Sequence, residues 1–299
     1  MSVLQSKSSE APLWPRITLV TAVRNGARYL DGTILSVLSQ NYPNLEYIVV
    51  DGLSTDGSVD IIKKYEQHLA WWTSDRDKNV YDALNKGFAR SSGEIMGWLN
   101  ASDLLHVNSL FTIGGVFSTF PEVDWITGRA TGLNSAGVVT QILNIPNWTR
   151  NRVLAGANKY IQQESTFWRR RLWVKAGGYI DSTSNKVGDF ELWIRFFRHA
   201  KLHPVDSILG AYRYHLDALS HDVRGYQEGC DEIIERELRC PTVSKWPRIV
   251  RRVTHGIRKV PLIRGLWRIL VSEPLYTLRG PDCAGVIVSR NDRWMLVRQ

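Results

Sequence analysis

A chain of 299 residues can hold one large domain or two smaller ones, and 43% hydrophobic with 22% charged residues is enough for an ordinary buried core. No run approaches the ~18–20 apolar residues of a membrane-spanning helix, and the polar start MSVLQSKSSE lacks the apolar stretch of a secretory signal. Cys230, Cys240 and Cys283 have no C-x-x-C spacing, which suits a reducing cytoplasm and gives no support to a zinc site or disulfide framework. The net charge of +9 sits at one end: residues 241–299 carry 12 basic and 3 acidic side chains, and the rest balances 26 against 26.

Residues 1–15 read as a flexible leader ending in Pro12 and Pro15. Arg16–Val23 is a β-branched apolar run, the mark of a buried parallel strand, broken by Asn25-Gly26. Leu30, Ile34, Leu35 and Leu38 then recur at helical spacing. Leu45–Asp51 is a second buried strand, followed by a turn and a helix with Val59, Ile62 and Tyr65 on one face. A third strand at Leu69–Thr73, a helix over Val80–Ala89, a fourth strand at Glu94–Leu99, a helix at Asn108–Phe120 and a strand at Asp124–Gly128 follow. The Gly/Asn/Pro-rich stretch from there to about Asn158 reads as a mobile loop. ESTFWRRRLWVKAGGY supplies a further strand, and GDFELWIRFF an amphipathic helix burying Leu192, Trp193, Phe196 and Phe197. Strands alternating with helices give an α/β fold with a mostly parallel sheet, whose ligands bind at the carboxyl ends of the strands.

Several acids stand at such ends. Asp51 closes a buried strand, where it either meets a nucleotide or caps an Asx-turn at Leu53 or Ser54. Asp103 follows the fourth strand in Leu99-Asn100-Ala101-Ser102-Asp103, as a hard oxygen ligand for a divalent cation or as a helix cap. Asp82, Asn85 and Lys86 share a helical face, which one ligand or an ordinary Asp–Lys pair would explain. Asp189 opens the GDFELW helix, as a base kept ionised by the helix N-terminus or as a cap. His215 sits in a polar stretch after Arg213.

In this order, T-A-V-R-N after the first strand, VVDGLSTDGS, SDRDKNVYDALNKG, GEIMGWLNASD, QQESTFWRR, GDFELW and YRYHLDALS together resemble the family 2 inverting glycosyltransferases over roughly residues 16–220. The resemblance implies a GT-A fold: a single Rossmann-like nucleotide-binding domain over residues 16–240, here with a basic amphipathic helical extension at 241–299. It implies that Asp51 reads the base, with Thr21, Val23 and Asn25 around it. Asp82, Lys86, Asn100 and Ser102 become donor-side residues, Asp103 and His215 hold the Mg²⁺ or Mn²⁺, and Asp189 is the general base. Two departures stand out. The usual A-D-D metal motif reads Ala101-Ser102-Asp103, and the usual E-D pair reads Gly188-Asp189.

The implied activity is inverting transfer of a sugar from a nucleotide-sugar donor, a UDP-sugar by default, to a hydroxyl of a glycan or lipid-linked acceptor in surface polysaccharide assembly. A degenerate sugar-nucleotide-binding protein is the rival reading, and a nucleic-acid binder through the basic tail a weaker one. In the tail, Ile249, Val250, Val253, Ile257 and Val260 line one helical side flanked by Arg251, Arg252, Arg258 and Lys259, with LIRGLWRIL beyond. That pattern predicts either an interfacial helix on the anionic cytoplasmic face of a membrane or a helix packed on the domain.

Overall fold

The computed structural model describes residues 14–146, 148–157, 159–184, 186–215, 222–258, 284–290 and 293–297. In chain order its strands and helices are β1 (Ile17–Val23), α1 (Ala27–Leu38), β2 (Leu45–Asp51), α2 (Ser58–Tyr65), β3 (Trp71–Ser74), α3 (Val80–Arg90), β4 (Ile95–Trp98), β5 (Leu104–Leu105), α4 (Ser109–Thr119), β6 (Trp125–Leu133), β7 (Val139–Ile142), α5 (Arg150–Leu154), β8 (Thr166–Arg169), α6 (Arg170–Lys175), α7 (Gly188–Phe197), β9 (His203–Arg213), α8 (Val223–Leu238), α9 (Lys245–Arg258), β10 (Val286–Arg290) and β11 (Arg293–Val297). The sheet runs β11-β10-β9-β6-β8-β4-β1-β2-β3, with β5 on β9 and β7 on β6.

The first half is parallel, β4-β1-β2-β3, and its register aligns Val23 with Asp51 and Asp51 with Ser74. Three strand ends therefore meet around one carboxylate. Side chains of β1 alternate between two cores, as the two-residue period demands. Val20 and Ala22 join Tyr81, Leu84 and Phe88 of α3 on one face, and Ile17, Leu19 and Val23 join Leu30 and Ile34 of α1 on the other. The helix α3 lies close against the sheet because Gly87 has no side chain: a Cβ there would stand 2.5 Å from Val20. A buried aromatic cluster continues this core under α7, where Trp98 and Trp193 stack at 5.5 Å between ring centres.

Beyond β4 the sheet becomes mixed, with β8 antiparallel to both β4 and β6, and β6 parallel to β9. The stretch read as a mobile loop is instead structured: β7 folds back on β6 as a hairpin, and α5 follows, capped by Thr149. The C-terminal segment is helical only in part, since β10 pairs with β9 and β11 with β10. Helix α9 packs on the domain through cations. Arg251 pairs with Asp231 and Glu235 of α8, and Arg248 donates to the carbonyls of Leu238 and Cys240. Its Trp246, Ile249 and Val253 point outward, 39%, 58% and 41% exposed. The LIRGLWRIL stretch lies outside the described residues, as do Lys259 and Val260.

Candidate active site

The strand ends carry three groups of polar side chains. The first surrounds Asp51, which is fully buried. Its Oδ2 accepts from the Ser54 amide (3.0 Å) and the Ser74 hydroxyl (2.6 Å), so the Asx-turn reading is right for one oxygen. Its Oδ1 accepts nothing among the described residues. A buried carboxylate oxygen without a donor is costly, and a ligand N–H or O–H arriving at the strand ends would remove that cost. Asn25, in the left-handed region at φ 53°, ties this loop to the first: its Oδ1 accepts from the Thr55 amide at 2.8 Å. The side chains of Thr21 and Val23 do not line the crevice. Thr21 is buried against the Tyr47 hydroxyl, 3.0 Å away, and Val23 packs in the core beneath α1, because both lie on the α1 face of β1.

The shared face of α3 also divides. Lys86 pairs at 2.5 Å with Asp77 and not with Asp82, whose Oδ2 accepts from the Lys78 amide at 3.1 Å. Asn85 is a clamp: it exchanges two 2.8 Å bonds with the backbone of Ile180. Asp77 is the residue that sequence reasoning missed here. Its carboxylate is buried, lies 3.2 Å from where a Gly52 Cβ would stand, and is pushed up chiefly by that burial.

The second group centres on Asp103, also fully buried. Oδ1 accepts from the Arg213 amide at 3.0 Å and Oδ2 from Gln163 Nε2 at 3.2 Å, with the Asn100 side chain a further partner. Burial pushes its carboxyl up to about 7 against these donors. Glu164, buried beside it, is raised well above the usual range by burial and by Asp103, and its Oε1 has no partner among the described residues. The Arg213 guanidinium donates to the Ser102 carbonyl (2.7 Å) and to those of Asn134 and Ser135, and stacks 4.9 Å over Tyr29. The His215 ring packs on the same tyrosine, 5.1 Å away. QQES was visible as a motif, but nothing in its spacing announced that Gln163 and Glu164 would meet Asp103.

The third group is Asp189. It is partly exposed, in the first turn of α7, whose N-cap is Val187, so its carboxylate is free of the capping role. Tyr81 donates to Oδ1 at 3.2 Å and Tyr226 to Oδ2 at 3.4 Å. Burial pushes it up to about 6, with the Phe190 amide and the two tyrosines pulling the other way. Tyr226 lies on α8, beyond the stretch covered by the recognised motifs, and had no sequence signal.

Residues 18–113 match the sequence profile described as Glycosyl transferase family 2. The chain is thus similar to family 2 glycosyltransferases over about a third of its length. Its fold is GT-A, as in TarS of Staphylococcus aureus, solved with UDP-GlcNAc, which superposes with a TM-score of 0.65 at 14% identity over 87% of this chain and 77% of that one. A mannosyltransferase from Pyrobaculum calidifontis, solved with GDP-Man and Mn²⁺, gives 0.53 at 15% identity, covering 89% and 82%. Among curated relatives, an uncharacterized glycosyltransferase of Mycobacterium tuberculosis is 26% identical over 55% of this chain and 63% of its own length. One of Rickettsia conorii is 24% identical over 72% and 37%. A Bacillus subtilis protein named for teichuronic acid biosynthesis, TuaG, is 33% identical over 30% and 36%. The chain thus spans less than two thirds of each of these three relatives.

No group of three or more His, Cys, Asp or Glu side chains gathers into a metal cage among the described residues. The donor set fits a cation in a narrower sense. Asp103 and Glu164 are adjacent buried acids with one unclaimed oxygen, and a hard cation bound through one or two carboxylates is completed by phosphate oxygens of its ligand. Ser102 supplies no carboxylate to this set. No helix among the described residues is long and apolar enough to cross a membrane.

Proposed function

We propose that the protein transfers a sugar from a nucleotide-sugar donor to a hydroxyl of a glycan or lipid-linked acceptor, with inversion at the anomeric carbon. The observation that carries this reading is Asp189: a partly exposed carboxylate, raised toward neutrality and held by two hydroxyls, in a domain whose strand ends offer Asp51 an unfilled bond. In this mechanism Asp51 Oδ1 accepts a base N–H of the donor. Asp189 takes the proton of the acceptor hydroxyl as its oxygen attacks the anomeric carbon from the face opposite the diphosphate. The new C–O bond forms as the bond to the diphosphate breaks, and the nucleoside diphosphate leaves with the electron pair. Asp103, with Glu164 beside it, would hold a divalent cation whose chemistry is neutralisation of charge on the diphosphate. The relatives solved with UDP-GlcNAc and with GDP-Man support a nucleotide-sugar donor of either base, and UDP-sugars are our first choice.

A polar cleft of about 600 Å³ supports the acceptor side. Its walls include Asn79, Lys186 and Gly225, within three residues in the chain of Tyr81, Asp189 and Tyr226, together with Glu228 and Glu232. Charges of both signs without an apolar wall suit a hydroxyl-rich glycan. Surface polysaccharide assembly agrees with the printed name of TuaG. Peripheral attachment at the cytoplasmic face of a membrane, through the outward side of α9, would bring a lipid-linked acceptor to this cleft.

Release of UDP or GDP from a panel of sugar nucleotides tests the reading. Asp189→Asn keeps the shape and removes the basicity, so turnover falls at least about a hundredfold while donor affinity stays within a few fold. A variant with more than a tenth of the wild-type rate would exclude Asp189 as the base.

A further inference from the structure

Asp189 is gripped from two helices that are far apart in the chain, and the absence of a side chain at its neighbour makes the grip possible. A Cβ on Gly188 would stand 2.7 Å from the Tyr81 ring and 2.7 Å from the Asp181 carbonyl. With glycine there, the Tyr81 ring fills the space and directs its hydroxyl to Oδ1 from α3, while Tyr226 reaches Oδ2 from α8. We propose that Tyr81 and Tyr226 are positioning residues that fix the carboxylate of Asp189 and favour its ionised, proton-accepting form, so that they set the pH at which the enzyme switches on.

Both groups are suited to donate. Each phenol is pushed well above its ordinary value by burial and by the charge of Asp189 itself, and so remains a protonated donor over the working range. Tyr226 is held by the exposed Tyr160, stacked on it at 5.3 Å, and Tyr160 in turn accepts from Gln227 at 3.3 Å. The other titratable groups facing Asp189 are Glu164, ahead of β8, and Cys230 on α8, whose thiol is pushed up to about 12. The Cys230 thiol therefore carries no charge near neutral pH. A hydrogen bond to the ionised form lowers a carboxyl pKa, and burial raises it. The tyrosines thus offset part of the burial that makes Asp189 a stronger base.

The inference rests on Asp189 as the base, and its test separates the two claims. In the full-length protein, Tyr81→Phe and Tyr226→Phe keep the rings and remove one hydroxyl each. The acid limb of the kcat/KM profile is expected to move up by roughly 0.5–1 pH unit in each variant, and further in the double variant. Activity above the limb stays within a few fold. A ¹³C carboxyl titration of Asp189, its resonance assigned by loss in Asp189→Asn, should move by the same amount without reliance on turnover. A carboxyl that titrates at the wild-type pH in both variants would overturn the proposal and reduce the tyrosines to packing. Full activity of Asp189→Asn would instead overturn the base, leaving the carboxyl titration to decide on the tyrosines.

Discussion

Asp51 divides its oxygens between the fold and the ligand: Oδ2 is held by Ser54 and Ser74, and Oδ1 has no partner among the described residues. The division gives a prediction with two parts. In Asp51→Asn the amide can keep one acceptor for the Ser54 and Ser74 donors while its NH2 group turns to the empty side. A donor N–H that met a carboxylate would then meet another donor. Hydrogen bonds to charged groups contribute about 1.5–3 kcal/mol, so affinity for UDP or GDP by titration calorimetry should weaken roughly ten- to a hundredfold. Thermal stability should stay within a degree or two, because the Ser54 and Ser74 donors keep their acceptor. Unchanged nucleotide affinity would mean that Oδ1 does not face the ligand.

At the scale of elements, what could be read from the sequence follows from periodicity. β1, β2, α3, β4, α4 and α7 fall within a residue or two of their expected bounds, because the strands are short continuous apolar runs and the helices bury a face with a 3.6-residue period. β3 starts two residues later than expected, and β5 has only two residues. The strand β7 is exposed at all four positions, so it carries no alternation to detect. The same logic explains the site. Asp51, Asp103 and Asp189 were legible as acids at strand ends or helix starts, whereas Thr21 and Val23 were assigned to the crevice although their side chains are buried on the α1 face of the strand. Tertiary contacts such as Tyr226 on Asp189, or Glu164 beside Asp103, leave no local pattern. Helix α9 packs on the domain and also exposes an apolar side, with Arg248 and Arg251 spent on α8 and its C-terminal end and Trp246, Ile249 and Val253 left outside beside the exposed Arg252. Deleting residues 241–299 would also strip β10 and β11 from β9, so point variants are the proper test. The full chain should co-sediment with vesicles containing anionic lipid, less so as salt is raised. A Trp246→Ser, Ile249→Ser, Val253→Ser variant of unchanged melting temperature should lose this binding. Equal binding of the variant, or equal binding to neutral vesicles, would exclude α9 as the attachment.

For the whole molecule, the buried acids of the site oppose the stability that the rest of the fold provides, and their protonation gives this conflict a pH signature. Glu46, Asp231 and Glu237 are lowered in spite of their burial, by hydrogen bonds from serine and threonine, backbone amides, lysine and arginine. Their contribution is complete once pH exceeds the unfolded carboxyl value of about 4 and changes little above it. Asp103 has the opposite sign. Its folded value of about 7 lies above the unfolded one, so the folded state holds a proton that the unfolded chain releases. The penalty is absent below about pH 4, builds as pH rises toward 7, and is constant beyond. His106 and His203, lowered by burial, run against this trend as pH rises toward the unfolded histidine value of about 6.5, so the total curve mixes both. A difference between two proteins isolates the aspartate together with the Glu164 it raises. In Asp103→Asn the Arg213 amide keeps an acceptor, and Gln163 can turn its amide to offer Oε1, which has no partner among the described residues. The variant should therefore match the wild type near pH 4 and exceed it by a few degrees in melting temperature at pH 8, equivalent to about 1–2 kcal/mol. It should also lose turnover and any response of the melting temperature to Mn²⁺ in the presence of UDP. A stability difference independent of pH would assign the effect to packing, and a retained Mn²⁺ response would move the cation site away from Asp103.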